Sequence, residues 1–170
     1  MMRSVRGFTL IELMVTIGVM AIIAVIAVPS FNNMLLKQNL NASTRSLMIT
    51  LEKARSKAAL DRRLVNVNLD PSNLLDPSAP EEKIDPLTNI YTFYWKASGK
   101  SALISTTTSI TFRPDGMVQD PTTITAPLTN PDMTLVLCDQ AQAQAQYSKR
   151  ITLSRMGVVQ QGDLVTGNCQ

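Results

Sequence analysis

The chemistry open to this chain is narrow. Its 170 residues contain no histidine, two cysteines, and 13 Asp and Glu against 16 Lys and Arg. Without an imidazole there is no Ser-His-Asp or Cys-His arrangement for nucleophilic catalysis. Two cysteines without histidine do not complete a four-ligand zinc site. The seven glycines are spread thinly and form no Gly-x-x-x-x-Gly-Lys phosphate loop. Asp70, Asp76, Glu81, Glu82 and Asp85 lie close together among prolines, but their spacing matches no ordered calcium loop, so they read as a solvated acidic loop. The composition predicts a non-enzyme that carries no cofactor and no metal.

One carboxylate is placed unusually. From Phe8 to Phe31 the only charged residue is Glu12. As a helix this stretch is about 36 Å long, enough to cross a hydrocarbon core of about 30 Å. Arg3 and Arg6 precede it and predict that the N-terminus stays in the cytoplasm while the rest of the chain lies outside. No small-residue signal-peptidase site followed by a turn closes the apolar run, which continues through Phe31-Asn32-Asn33-Met34-Leu35-Leu36. A carboxylate four residues into such a span is costly unless it sits at headgroup depth or acquires a cationic partner. Pro29 removes a backbone donor, which predicts a kink or local melting around Ala24 to Pro29.

The segment Gly7-Phe8-Thr9-Leu10-Ile11-Glu12-Leu13 resembles the processing site of type IV prepilins and type II secretion pseudopilins. The resemblance implies cleavage between Gly7 and Phe8 by a membrane prepilin peptidase, N-methylation of Phe8, and pairing of Glu12 with the N-terminal amine of a neighbouring subunit. Pro29 matches the helix-kinking proline of many pilins. The implied location is the inner membrane of a Gram-negative bacterium, with a periplasmic head that later enters a pilus at the cell surface.

Beyond the span, Leu40, Leu47, Leu51, Ala54 and Ala58 recur at helical spacing, with Lys37, Arg45, Lys53, Arg55 and Lys57 between them. The basic side of this helix is read as a solvated face. After Asp61-Arg62-Arg63 the period becomes two. Strands are predicted at Leu64 to Leu69, Ile90 to Trp95, Ala102 to Thr108 (as partner of the preceding strand), Ile110 to Phe112, Met133 to Cys138 and Arg150 to Ser154. Asp70 to Asn89, with four prolines, reads as a loop, and the alternating Gln140 to Gln146 as a flexible hairpin connection. The domain reading is a leader at 1–7, an assembly helix at 8–31, an amphipathic half-helix at 32–63 and a head at 64–170. The predicted fold is α+β, a long N-terminal helix packed on an antiparallel sheet head of the type IV pilin kind. In a chain sent across a membrane, Cys138 and Cys169 read as one disulfide; the alternative is two unrelated buried thiols.

Strand order, the Phe-x-Pro-x-Gly turn at Phe112 to Gly116 and the hairpin at Arg150 to Gly157 resemble the GspH/FimT branch of minor pilins and pseudopilins. That resemblance implies partnership with a prepilin peptidase, other pilins and the inner membrane. It leaves three functions open: a minor pilin that initiates or supports pilus assembly, an H-type pseudopilin of type II secretion, or a DNA-binding pilus-tip receptor. The Gly-Arg-x-Arg element associated with DNA binding in FimT proteins reads Gly157-Val158-Val159-Gln160 here, without either arginine. Lys149, Arg150 and Arg155 remain as candidate DNA contacts, with Arg62 and Arg63 at the helix end.

Overall fold

A computed structural model of the chain describes residues 8–69, 82–84, 90–105, 107–119, 132–167 and 169. Gly7 and the leader, and most of the loop expected from Asp70 to Asn89, lie outside the described residues. The helix α1 spans Leu10–Asp61. The chain divides into two units, Met1–Leu35 and Leu36–Gln170.

In the first unit every described side chain from Phe8 to Leu35 is exposed. A helix apolar all round is stable only among lipid or other apolar surfaces, and α1 is long and apolar enough to cross a membrane. The backbone stays helical across Pro29, so the chain does not melt there. A proline deletes one bond of the ladder, and the flanking turns keep theirs.

In the second unit the helix buries Leu40, Leu47, Leu51, Ala54 and Ala58, which the 3.6-residue period places on one side. Two polar side chains on that side are satisfied by backbone groups. Thr44 Oγ1 donates to Leu40 O (2.7 Å), and Ser43 Oγ accepts from Ser98 N–H (2.8 Å). The helix stops at Arg62, whose φ of 51° is left-handed, and Arg63 N–H closes the last turn on Ala58 O (3.3 Å). This is a Schellman-type end built without the usual glycine.

Eight strands follow: β1 (Val65–Asn68), β2 (Glu82–Ile84), β3 (Tyr91–Tyr94), β4 (Ala102–Ile104), β5 (Ser109–Phe112), β6 (Met133–Cys138), β7 (Tyr147–Leu153) and β8 (Val159–Thr166). They form two four-stranded sheets, ordered β2-β3-β1-β5 and β4-β6-β7-β8. The pairs are antiparallel except β1 with β3, which run parallel. A parallel pair requires a connection of a dozen or more residues, and the long stretch between Leu69 and Ile90 supplies it. Alternate residues of β1, β5, β6 and β7 enter the core: Val65 and Val67, Ile110 and Phe112, Leu135 and Leu137, Ile151 and Leu153 are all buried in one cluster with the helix residues. Burying side chains of this size stabilises by roughly 1.5–3 kcal/mol each, so the amphipathic pattern decides how this unit folds.

Two expectations are corrected. Ala102 to Thr108 does not pair with the aromatic strand: β4 pairs with β6 in the other sheet, while β3 lies between β2 and β1. The reason is the anchor at Ser43, which ties Ser98 to the helix, so that the turn at Gly99 (φ 62°) leads the chain onward instead of back. The loop expected at Asp70 to Asn89 contains the short strand β2. The Gln140 to Gln146 stretch is the hairpin connection between β6 and β7, and it contains a 3₁₀ turn, Gln142–Gln144, closed by the buried Asp139, whose Oδ1 accepts from Gln146 N–H (3.0 Å).

Candidate functional site

The N-terminal site is built on the first turn of α1. Thr9 N–H and Thr9 Oγ1 both donate to Glu12 Oε2 at 2.9 Å, and Glu12 N–H donates to Thr9 Oγ1 at 3.3 Å. The exchange is a capping box, which satisfies amides that a helix start otherwise leaves unpaired. It holds the Glu12 carboxylate at the end of the apolar helix through one oxygen. Glu12 Oε1 accepts no hydrogen bond among the described residues. Phe8, beside it, is 83% exposed. Sequence reading singled out Glu12 and passed over Thr9, although Thr-x-x-Glu ahead of an apolar run is the signature of this cap.

The cysteines meet. Cys138, at the end of β6, is bonded to Cys169, beyond β8, with 6.0 Å between Cα atoms; both are buried. Since β7 lies between β6 and β8, the bridge ties the tail across one strand onto the next.

Two turns singled out by sequence are packed together. Gly116 N–H donates to Arg113 O and Gly157 N–H to Ser154 O, both at 2.8 Å, and each glycine has positive φ, 77° and 76°. Val118 N–H donates to Arg155 O (3.0 Å) and joins the two hairpins. A Cβ on Gly157 would lie 2.5 Å from Gly116 O and 3.0 Å from Arg55 side-chain atoms, so the contact is backbone to backbone and admits only hydrogen.

The cations proposed for DNA are not brought together. Cross-strand partners share a face. Lys149 is opposite Leu137 on the face that holds Ile151 and Leu153, whereas Arg150 is opposite Val136 on the other face. Arg155 lies in the turn after β7. Two basic residues stand over one ring: Lys57 of the helix and Arg63 just past it lie 4.4 and 5.4 Å from the Tyr91 centroid, and Lys57 also pairs with Asp61 (3.3 Å).

Two family matches cover the chain. The prokaryotic N-terminal methylation motif matches residues 2–28, and the Type II transport protein GspH family matches residues 43–157. Among solved structures, the Pseudomonas aeruginosa PAO1 type IV minor pilin FimU is similar at 15% identity in two crystal forms. One has a TM-score of 0.47 over 75% of this chain and 90% of FimU, and the other 0.46 over 73% and 93%. No curated protein matches the chain. With the GspH match spanning well over half of its length behind a methylation motif, the chain belongs to the GspH/FimT family of type IV pilin-like proteins.

Proposed function

We propose that this chain is a minor pilin. In this reading it is inserted N-in in the inner membrane of a Gram-negative bacterium, cut between Gly7 and Phe8 by a prepilin peptidase, and methylated on Phe8. It is then incorporated with other pilins into a type IV pilus whose assembly it helps to start. The observation that carries the reading is the methylation motif over residues 2–28 joined to a helix none of whose described side chains is buried before Leu36. A surface so apolar has two suitable surroundings, the membrane before assembly and neighbouring helices after it. Glu12 contributes the specific step. Thr9 engages one of its oxygens, and the other is left to a neighbour's N-terminal amine, an attraction that grows as water is excluded. Pro29 is the position at which the helix bends to fit its neighbours. The head has a packing role and performs no chemistry.

A second reading, an H-type pseudopilin of type II secretion, is favoured by the match of residues 43–157 to the Type II transport protein GspH family. Both readings share the processing step, which intact-mass measurement of membrane-extracted protein tests. The expected product lacks Met1 to Gly7 and carries one methyl on Phe8. A mature N-terminus beyond Pro29 overturns both. Shearing then separates them: the minor pilin is recovered in sheared pili, whereas deletion of the pseudopilin blocks secretion and leaves pili intact.

A further inference from the structure

The chain enters its second unit at Leu36, and positive charge gathers there at once. The Lys37 ammonium lies 4.4 Å from the centroid of the Tyr147 ring, which fixes its stem against β7. The segment between β3 and β4 is folded onto the next turns of the helix: Ser98 N–H donates to Ser43 Oγ, and Gly99 lies against the side chain of Asn39. That segment carries Lys96 and Lys100, both exposed. Lys149, half-buried, stands two residues along β7 from Tyr147 on the same face. Lysines from three separate parts of the chain thus surround one short length of helix. The neighbouring segments, residues 36–45, 95–104, 145–149 and 164–167, contain no Asp or Glu, and Asp163 borders the last of them. Asp139, which is close by, is fully buried: its Oδ1 accepts from Gln146 N–H, and its Oδ2 meets no hydrogen-bond partner among the described residues.

The length of helix before this collar determines what it meets. Lys37 is six residues beyond Phe31 and Asn39 eight. Along a helix that rises 1.5 Å per residue they follow it by about 9 and 12 Å. A headgroup layer is about 5–7 Å thick on each side of the hydrocarbon, and the Debye length is about 8 Å at physiological ionic strength. Lys37 is therefore within electrostatic range of the lipid surface that its own helix crosses. Trp95 is 3% exposed and Tyr147 lies under Lys37, so among the described residues no aromatic platform for nucleic-acid bases is open beside these lysines.

We propose that Lys37, Lys96, Lys100 and Lys149 form a collar that binds anionic lipid headgroups while the subunit waits in the membrane. The contact would hold the head against the bilayer until assembly extracts it. This inference rests on the membrane-inserted reading above.

The test uses the full chain, reconstituted in vesicles of phosphatidylcholine alone or with added phosphatidylglycerol, and a membrane-impermeant amine reagent. Lys53, exposed on the helix well beyond the collar, is the internal reference. Labelling of Lys37, Lys96 and Lys100 relative to Lys53 is expected to fall about threefold or more in the anionic vesicles and to recover in 1 M salt, where the Debye length is about 3 Å. Equal ratios in the two vesicles, with the chain resistant to carbonate extraction, overturn the collar and leave the membrane reading intact. A chain that washes out with carbonate overturns both. Protection in neutral vesicles by an added DNA duplex, without protection by phosphatidylglycerol, assigns the surface to nucleic acid and overturns the lipid proposal.

Discussion

Glu12 is held by its own helix before it meets any neighbour, and that governs how a substitution there is read. Replacing it with Ala removes both the cap and the charge, so a defect would have two causes. Glu12→Gln keeps an oxygen to accept from Thr9 and loses only the charge. We expect the Gln variant to insert and to be processed like the parent but to be depleted in sheared fibres, read as the ratio of fibre to membrane protein on immunoblots. Wild-type incorporation of the Gln variant would show that the charge is not used in assembly. The glycine turns allow a cleaner comparison. Gly157→Ala sets a Cβ against Gly116 O at 2.5 Å with φ at 76°, whereas at Gly116 the nearest atom to a new Cβ is in Arg55 at 3.6 Å. Left-handed strain alone costs about 1–2 kcal/mol, and a backbone clash adds about 1–3 kcal/mol. Chemical denaturation should therefore show a larger loss for Gly157→Ala than for Gly116→Ala.

At the scale of elements, β8 contributes little burial. From Gln160 to Thr166 every residue is exposed, and β8 lies at the edge of its sheet. What holds it is its pairing with β7 and the Cys138–Cys169 bridge beyond it. The bridge closes a separation of 31 residues, which the chain-entropy treatment values at about 3–4 kcal/mol. Changing both cysteines to Ser should lower stability by that order and speed amide exchange in β8 more than in β1, measured by hydrogen exchange; equal protection in the two strands would contradict this. Legibility follows the same division. β1, β6 and the core face of the helix were legible because one side of each is buried and the period shows it. β2 was not, since Glu82-Lys83-Ile84 has too few residues to show a period. The sheet to which β4 belongs was hidden because Ser43, 55 residues before Ser98 in sequence, decides it. The helix end was hidden because Arg62 occupies a position usually marked by glycine. At the N-terminal site the charge anomaly exposed Glu12, while Thr9 looked like one more small residue in an apolar run.

For the whole molecule the open question is whether Lys149, Arg150 and Arg155 act as one surface toward DNA. Affinity for a duplex comes from several phosphates neutralised together, and the salt dependence of binding counts them. Lys149 and Arg150 are adjacent in sequence, yet they stand on opposite faces of the second sheet, and a rigid duplex cannot touch both faces. Arg155 lies beyond the strand, in the turn that packs on Gly116. Arg63 lies over Tyr91, and Arg113 is paired with Asp115 at 3.3 Å. The register of β6 and β7 thus disperses the charge that sequence proximity suggested, and the motif position Gly157-Val158-Val159-Gln160 adds no cation. We expect the full chain in neutral detergent to show no low-micromolar binding to a duplex by fluorescence anisotropy at physiological salt. Any association at low salt should have a shallow salt slope and should be insensitive to Lys149→Ala, Arg150→Ala and Arg155→Ala together. Tight binding abolished by that triple substitution would mean that the head rearranges to bring these residues onto one surface, and it would favour the tip receptor over the assembly subunit.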